Sequence, residues 1–407
     1  MSADSPGGAV LPLLRAGQWY ESHDTEPVPG YGTTGPRLSL APKILIRDDA
    51  RRLRDRLPAL PPLDPQTRVD LLSRAVDLFC DGHVTVTGWG RQGPAEFSAA
   101  MLCTTGLPGA LVRRWSAMLR EHLKELAASA DGAVDETALA LVSLPANTFT
   151  CLESVLEAAL TSGAVWIRPS RREPVSSARL VGALIDAGWP PERLGYYPTD
   201  PGGLTALIQV TTRQTVYGGD GLAAAAARSD SLDLRGPGRA CAIVDAHALA
   251  DPARTARRIA PLVAADSGRF CSNVCTIVCL GDAGPLVGAL GDLLDGISLD
   301  PPDHRWPVAH CTVDDGRRTA ALIEDGLAAG GRIATQRRLP IVAGETAFLP
   351  PTLLHVGDVG HPLIGCELPF PFAVATTADD AGAQSVAERA HFVYTAPFLT
   401  HEKGGPR

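Results

Sequence analysis

The chain has 407 residues, of which 45% are hydrophobic and 20% charged, and this predicts a globular protein of two domains. The formal net charge of −8 argues against a nucleic-acid-binding protein, whose surface would carry a basic patch. No apolar run reaches the roughly 18 residues of a membrane-spanning helix, and the first residues lack the charged and apolar regions of a signal peptide. We therefore expect a cytoplasmic protein that contacts neither membrane nor nucleic acid.

The first 60 residues are rich in Pro and Gly and predict irregular structure, with one short strand near residues 43–46. Asp64 is expected to cap a helix that runs to about Cys80, and a longer helix is predicted over residues 110–128. Strands and helices then alternate. The predicted strands are 139–144, 164–167, 193–197, 210–216 and 241–244, and the helices are 150–161, 176–187, 222–227 and 252–265. This alternation predicts an α/β protein with a parallel, doubly wound sheet.

Three of the predicted strands end in residues suited to binding. Asn147, in Pro145-Ala-Asn147, can offer its amide to an oxyanion, and an ordinary helix cap is the alternative. The run Arg168-Pro-Ser-Arg-Arg172 places three arginines where open α/β sheets bind ligands, and it suits phosphate; a solvated basic loop is the alternative. Gly218-Gly219 allows backbone amides to approach a pyrophosphate, although simple turns use the same residues.

The run from Asp266 to Cys279 holds the strongest candidate nucleophile. Gly268 permits a tight turn three residues before Cys271, and an apolar, β-branched stretch follows as a buried strand would. A thiolate needs backbone amides or positive charge nearby, and Arg269 can supply some of that charge. A buried core cysteine is the alternative interpretation.

The nine cysteines show no regular framework spacing, and reduced thiols are the simplest interpretation. Cys271, Cys275 and Cys279 are four residues apart, but they lie in a strand-like segment without a histidine at ligand spacing. No metal site is therefore expected.

The catalytic motifs together resemble the aldehyde dehydrogenase superfamily, over roughly residues 110–372. Pro145-Ala-Asn147 is similar to the family's Pro-x-Asn turn, so the resemblance implies that Asn147 contributes to an oxyanion hole. Asp266-Ser-Gly-Arg-Phe-Cys271 is similar to Asn-x-Gly-Gln-x-Cys, which implies that Cys271 is the nucleophile.

The resemblance also extends to the cofactor motifs. Arg168-Pro169-Ser170 looks like the Lys-Pro-Ser segment at the adenosine ribose, and Gly218-Gly219 takes the place of the glycine motif near the pyrophosphate. The segment 367–371 looks like Glu-x-Phe-Gly-Pro, which implies that Glu367 binds the nicotinamide ribose. In NAD-preferring members a Glu follows Lys-Pro-Ser, whereas Arg171 stands there in this chain. Because arginine attracts a 2′-phosphate, NADPH is expected rather than NADH.

The fold implied by the resemblance is an aldehyde-dehydrogenase-like α/β fold. It comprises an N-terminal segment with a Rossmann-like cofactor domain over residues 1–238 and an α/β catalytic domain over residues 239–384, with the active site in the cleft between them. Residues 385–407 are a candidate completion of the first domain. A homo-oligomer is also expected from the resemblance.

One difference between this chain and the family's motifs indicates a particular branch of that superfamily. Counting back from Ile243-Val244 places Arg235 where aldehyde-oxidising members carry a catalytic Glu, and the nearest carboxylate is Asp233. Gly236-Pro-Gly238-Arg instead resembles the CoA-acylating members. The chain is therefore similar to the fatty acyl-CoA reductase component of bacterial luminescence and to aryl-acid reductase subunits of secondary metabolism, which cooperate with an adenylating enzyme.

We therefore expect NADPH-dependent reduction of an acyl thioester, carried by CoA or a carrier protein, to an aldehyde through an acyl-Cys271 intermediate. Without a base, such a thioester survives water long enough to accept a hydride. One alternative is aldehyde oxidation with Asp233 as base. The other is a non-catalytic subunit that partners an adenylating enzyme. The acyl group, its carrier and the general acid are left open by the sequence.

Overall fold

The structure, a computed structural model, describes residues 9–30, 35–128, 134–222, 229–299, 302–303, 305–396 and 401–403. The chain divides into two compact units, Met1–Arg235 and Gly236–Arg407. Each unit builds its own seven-stranded, largely parallel sheet. Within the described residues, no single helix has the length and apolar composition to cross a membrane, and one bent pair, Pro94–Thr105 with Gly109–Ala128, meets that test only together.

The first unit alternates strands and helices from residue 135 onward. Its strands are β1 (Val10–Leu11), β2 (Leu13–Arg15), β3 (Gln18–Tyr20), β4 (Thr25–Pro27), β5 (Arg37–Ser39), β6 (Val84–Val86), β7 (Gly90–Gln92), β8 (Asp135–Ser143), β9 (Ser162–Arg168), β10 (Leu194–Tyr196), β11 (Arg213–Tyr217) and β12 (Leu232–Arg235). Its α-helices are α1 (Lys43–Arg56), α2 (Pro65–Asp81), α3 (Pro94–Thr105), α4 (Gly109–Ala128), α5 (Glu153–Thr161), α6 (Val175–Asp186) and α7 (Pro201–Val210).

The large sheet of this unit has the order β12-β11-β8-β9-β10-β2-β3. The strands from β12 to β10 are parallel, and β2 and β3 add an antiparallel edge. The chain proceeds from β8 to β9 and β10, then returns to place β11 on the other side of β8. This reversal is a topological switch point, and ligands of open α/β sheets bind at the carboxyl ends of the strands beside it. The parallel sheet expected from the alternating pattern is confirmed.

Helix α1 occupies the segment for which a short strand was predicted, so that prediction was wrong. Ile46 and Ala50 are buried, and Leu53 is partly buried against the same core cluster. Their spacing of four and three residues is a helical period, whereas the apolar run at 44–46 is too short to distinguish helix from strand. Asp64 caps α2 as predicted, because its carboxylate accepts a hydrogen bond from the backbone N–H of Thr67.

A buried charge network ties α2 to the sheet. Arg68, which is 0% exposed, donates to the carbonyls of Ala159 and Ser162 and contacts Glu136 at 2.7 Å. Arg193 contacts the other carboxylate oxygen of Glu136, also at 2.7 Å. Burial alone would raise the pKa of Glu136, but the hydrogen bonds from the two guanidinium groups lower it. This network fixes the start of β8, whose other end enters the candidate site.

The second unit continues the alternation around a second sheet. Its strands are β13 (Cys241–Val244), β14 (Thr276–Cys279), β15 (His310–Thr312), β16 (Arg332–Ile333), β17 (Ile341–Ala343), β18 (Thr346–Phe348), β19 (Thr352–His355), β20 (Phe372–Thr377), β21 (Phe392–Tyr394) and β22 (His401–Lys403). Its α-helices are α8 (Ala246–Leu249), α9 (Pro252–Ala264), α10 (Gly284–Asp295), α11 (Val313–Leu327) and α12 (Asp380–Ala387).

The sheet order in this unit is β16-β19-β20-β14-β13-β21-β22, and a small antiparallel sheet, β15-β18-β17, accompanies it. The central strands are parallel, and the two edge strands, β16 and β22, are antiparallel to their neighbours. Residues 385–407 were a candidate completion of the first domain. Because β21 pairs with β13 and β22 pairs with β21, the two strands that they contribute belong to the second sheet instead.

Candidate functional site

Cys271 lies on a tight turn between α9 and β14, and its side chain is exposed. The backbone enters the turn through three consecutive residues with left-handed φ angles, namely Asp266 at 53°, Ser267 at 59° and Gly268 at 65°. Such angles cost of order 1–3 kcal/mol at each non-glycine residue and persist only where the surroundings enforce them. The turn is thus a strained segment held in place by its contacts, and the exposed thiol rules out a buried core cysteine.

Asn273 holds the turn from within. Its side-chain Oδ1 accepts from the backbone N–H of Phe270 at 2.8 Å, and its Nδ2 donates to the carbonyls of Leu262 and Ala265 at 3.0 and 3.1 Å. One side chain therefore joins the end of α9 to the residue before Cys271. Asn273 was not among the residues predicted from the sequence. The only local signal is the residue type, because Asn side chains commonly form hydrogen bonds to nearby backbone groups.

Gly238 packs directly against the nucleophile. A Cβ atom at this position would lie 2.1 Å from the carbonyl oxygen of Cys271 and 2.7 Å from its Cβ. A Cβ at Gly268 would likewise lie 2.5 Å from the backbone of Phe370 and Pro371. Both glycines therefore serve close backbone approach, and the loop after β12 forms one wall of the Cys271 turn.

Glu367 reaches the same loop from another direction. Its Oε1 accepts a hydrogen bond from the backbone N–H of Arg239. Burial of the carboxyl group raises the pKa of Glu367, and hydrogen bonds from the backbone of Arg239 and Gly238 oppose that rise. Cys271 and Glu367 thus both contact the Gly238–Arg239 loop within the second unit.

Strand β21 fixes the same two segments. The backbone N–H of His391 donates to the carbonyl of Gly238 at 2.8 Å, and the hydroxyl of Tyr394 donates to the carbonyl of Ser272 at 2.9 Å. Burial, followed by the nearby Cys271 thiol, raises the pKa of Tyr394. The hydroxyl is therefore neutral near neutral pH and close enough to Cys271 to interact with it electrostatically.

Arg269 was expected to supply charge beside Cys271. The structure buries its side chain, and this burial lowers the pKa of Arg269 to about 10. Its guanidinium interacts electrostatically with the thiol of Cys311 in β15. A contribution of Arg269 to the ionisation of Cys271 stays a prediction.

Asn147 lies in the first unit, in the loop that follows β8 at the switch point, and it is half-buried. The hydroxyl of Thr148 accepts a hydrogen bond from the backbone N–H of Thr150 at 3.1 Å. The short helix over Thr150–Leu152 has Phe149 at its N-cap and no side-chain hydrogen bond there, so it does not use Asn147 as its cap. The predicted role of Asn147 as an oxyanion donor stays a prediction.

The Arg168–Arg171 segment follows β9 at the same edge of the sheet. Arg168 makes two long hydrogen bonds, 3.4 Å to the hydroxyl of Ser143 and 3.2 Å to the carbonyl of Thr199, and its buried Nε lacks a hydrogen-bond partner among the described residues. Pro169 is buried, and Ser170 accepts from the backbone N–H of the second residue after it at 3.2 Å. A guanidinium held this loosely suits an additional anionic ligand.

Arg171 has a partner that the sequence analysis missed. Its Nη1 lies 2.8 Å from Oε2 of Glu26, a residue of β4. Burial and then repulsion by Arg171 lower the pKa of Arg168, while Asp200 and Glu26 raise it. No local signal links positions 145 residues apart in sequence.

Gly218 and Gly219 follow β11 on the other side of the switch point. A Cβ atom at Gly218 would lie 2.8 Å from the side chain of Leu222, whereas one at Gly219 or Gly221 would meet no atom of the described residues within 4 Å. The backbone at Gly219 is thus open to a ligand. Of the helix predicted after this loop, residues 223–227 lie outside the described residues.

Arg235 ends β12 next to this loop and is held by several polar groups. Its Nε lies 2.8 Å from Asp233, and its Nη1 donates to the hydroxyl of Ser154 at 2.9 Å. Burial lowers its pKa, but interactions with Tyr217 and Asp233 outweigh burial and raise it. The guanidinium is therefore permanently charged. It is paired with Asp233, the carboxylate that was the alternative candidate for a catalytic base.

These residues form two groups. The first unit gathers Asn147, the Arg168–Arg171 segment and the Gly218–Gly219 pair at the carboxyl edge of its sheet, and the second gathers Cys271, Gly238 and Glu367 around one loop. The first group fits a dinucleotide, because the buried Nε of Arg168 lacks a partner among the described residues and the backbone of Gly219, at the same edge of the sheet, is open. Within the described residues, no group of three or more His, Cys, Asp or Glu side chains is placed to hold a metal ion.

No family model matches the sequence, and no curated protein is significantly similar to it. Solved structures are similar in fold. An NADP-dependent glyceraldehyde-3-phosphate dehydrogenase from Bacillus halodurans C-125, complexed with NADP, matches with a TM-score of 0.74 and 18% identity, covering 94% of this chain and 85% of the other. A salicylaldehyde dehydrogenase from Pseudomonas putida G7 matches with a TM-score of 0.75 and 16% identity, covering 95% and 85%.

An NAD-dependent aldehyde dehydrogenase from Sinorhizobium meliloti matches with a TM-score of 0.75 and 16% identity, covering 97% of this chain and 84% of the other. All three alignments span both compact units, and they agree with the two-unit α/β architecture expected from the sequence motifs. The chain therefore has the aldehyde-dehydrogenase fold.

Proposed function

We propose that the protein reduces an activated acyl group, presented as an acyl-CoA or another acyl thioester, to an aldehyde through a covalent acyl-Cys271 intermediate. The observation that carries this proposal is the state of Arg235 and Asp233. The position that would hold a carboxylate base in an aldehyde-oxidising relative holds a charged guanidinium, which is paired with the nearest carboxylate at 2.8 Å. An acyl-enzyme that lacks a base to activate water is suited to reduction rather than to hydrolysis.

The chemistry begins at the Cys271 turn. The thiolate attacks the thioester carbonyl, a new carbon–sulfur bond forms, and the departing thiolate takes up a proton as it leaves. The exposed position of Cys271 gives a bulky acyl carrier access to the thiol. The backbone N–H of Cys271 and the amide of Asn147 are the proposed oxyanion donors. When bound, a reduced nicotinamide nucleotide would supply the hydride that converts the acyl group to an aldehyde, and the carbon–sulfur bond to Cys271 breaks to return the free thiolate.

The cofactor would be held by residues of both groups. Arg168, Pro169, Ser170 and Arg171 would hold the adenosine end, and Glu367 would hold the nicotinamide ribose. The backbone of Gly218 and Gly219 would approach the pyrophosphate. We propose NADPH rather than NADH, because the loosely held guanidinium of Arg168 and the neighbouring Arg171 favour a 2′-phosphate.

We propose that this reaction takes place in the cytoplasm. The acyl thioester would come from CoA or a carrier protein, and an adenylating, acyl-activating enzyme is the proposed supplier. A homo-oligomer is also proposed. These proposals rest on the motifs that resemble acylating and aryl-acid-reducing members of the superfamily.

Aldehyde oxidation is the second candidate. The likeness to dehydrogenases that are named for aldehyde substrates favours it, and it would use NAD(P)+ and water. It requires a base, and Asp233 would first have to leave Arg235. A non-catalytic subunit is less well supported, because such a subunit has no need for an exposed cysteine on a strained, heavily hydrogen-bonded turn.

The test is a steady-state assay on the full chain. NADPH absorbance is followed with a panel of aromatic and aliphatic acyl-CoA thioesters, using the wild type, Cys271→Ala and, as a matched control, Cys103→Ala in the first unit. We expect NADPH loss and a trapped aldehyde with the wild type and the control, and neither with Cys271→Ala. Formation of NAD(P)H from aldehydes without thioester reduction would instead establish oxidation.

A further inference from the structure

The ion pair between Glu26 and Arg171 joins distant parts of the first unit. Glu26 lies on β4, which pairs with β5 in a small sheet outside the main one, and its side chain is 25% exposed. Arg171 lies in the loop after β9, at the ligand-binding edge of the main sheet, and its side chain is 40% exposed. The Nη1–Oε2 distance of 2.8 Å is that of a charge-assisted hydrogen bond.

We propose that Glu26 is a specificity-determining residue, which occupies Arg171 and so weakens the attraction of this site for a 2′-phosphate. This inference rests on the proposed binding of a nicotinamide nucleotide at Arg168–Arg171. It assigns to Glu26 a role opposite to that of the arginines. The arginines attract the phosphate, and Glu26 competes with the phosphate for one of them.

Several charged groups meet at this edge of the sheet. Glu26 interacts electrostatically with both Arg168 and Arg171. Asp200 is a second carboxylate that interacts with Arg168. A 2′-phosphate brings up to two further negative charges to this group. It must therefore either displace Glu26 from Arg171 or lie close to a like charge, and both cost binding free energy. A nucleotide with a 2′-hydroxyl leaves the ion pair intact.

The experiment measures binding of 2′,5′-ADP and 5′-AMP to the full-length protein by titration calorimetry. These probes carry the adenosine end alone, with and without the 2′-phosphate. In Glu26→Gln, we expect affinity for 2′,5′-ADP to rise about tenfold at low salt, because a unit charge is removed beside the phosphate. Affinity for 5′-AMP is expected to stay unchanged, and added salt is expected to reduce the gain.

Two further variants make the result specific. Glu21→Gln removes the same charge from an exposed position five residues away and is expected to leave both affinities unchanged. Arg171→Gln is expected to weaken 2′,5′-ADP binding and to reduce the gain from Glu26→Gln in the double variant. An equal response of the two probes to Glu26→Gln would overturn the inference, as would a loss of 5′-AMP binding, which would make Glu26 a ribose ligand.

Failure of this inference and failure of the proposed function are distinguishable. Binding of the two probes requires neither Cys271 nor an acyl substrate. If the ratio of affinities shifts as expected while no thioester is reduced, the role of Glu26 stands and the proposed reaction fails. If neither the wild type nor any variant binds either probe while a thioester is reduced, the inference fails and the proposed reaction stands.

Discussion

A single methyl group at Gly238 is expected to displace the nucleophile. In Gly238→Ala the new Cβ would lie 2.1 Å from the carbonyl oxygen of Cys271, whereas ordinary contacts begin at 3.4 Å, so one backbone segment must move by about 1.3 Å (3.4 − 2.1). The obstructing atoms are backbone, and they cannot rotate away. A misplacement of about 1 Å in an active site costs roughly 10²-fold in rate. We expect a loss of that size in thioester reduction.

The assay compares acyl-CoA reduction with the rate at which iodoacetamide alkylates Cys271. Gly357→Ala is the matched control, because a Cβ there meets no atom within 4 Å in the part of the chain that the structure describes. The control should retain both rates and the unfolding temperature of the wild type. If Gly238→Ala also retained both rates, Gly238 would not position Cys271, and the close approach described above would have no functional consequence.

Three further predictions concern the turn, the buried charges and the thiols. Asn273→Asp keeps the acceptor for the Phe270 N–H but loses both donated hydrogen bonds. We expect the free energy of unfolding in urea to fall by about 2 kcal/mol. An unchanged urea midpoint would contradict this. Because hydrogen bonds from two arginines lower the folded-state pKa of Glu136, its contribution to stability is complete above the unfolded-state pKa and is lost as pH falls through the folded value. Glu136→Gln should remove this part of the acid dependence and lower the free energy of unfolding by about 2 kcal/mol at neutral pH. The loss is smaller than for a fully buried pair because the carboxylate is partly exposed. An unchanged dependence of stability on acid pH would refute this role of Glu136. In the native protein, iodoacetamide should modify the exposed Cys271 before the buried Cys241, Cys275 and Cys279. Burial raises the pKa values of these three buried thiols to about 11, 12 and 12, so little thiolate is present to react. Equal labelling of all four by peptide mass spectrometry would contradict this.

The alternating architecture was predictable because its signals are local. The predicted strands at 139–144 and 241–244 are short apolar runs bounded by turn residues, and the parallel sheets follow from strands separated by helices. Asp64 gave a helix start through its own side chain. Helix α7 was missed, and its last residue was assigned to a strand, although Asp200 followed by a proline is also a helix-start signal.

The candidate site was predictable only in part. The motifs around Asn147 and Cys271 drew attention to two turns, but the residues that hold those turns are identified by contacts rather than by spacing. Gly238 lies 33 positions before Cys271, and Tyr394 lies 122 positions after Ser272, to which it donates. Such pairs depend on the order of strands in the sheet, and a single sequence does not encode that order in any local pattern.

The most direct test of the proposed reaction is the mass of the protein after mixing with an acyl-CoA in the absence of nucleotide. The account predicts that one acyl group is added, that peptide mapping locates it at Cys271, and that it persists in water until NADPH is supplied and aldehyde appears. Absence of the adduct from Cys271, or its rapid hydrolysis to the free acid before NADPH is added, would contradict the account.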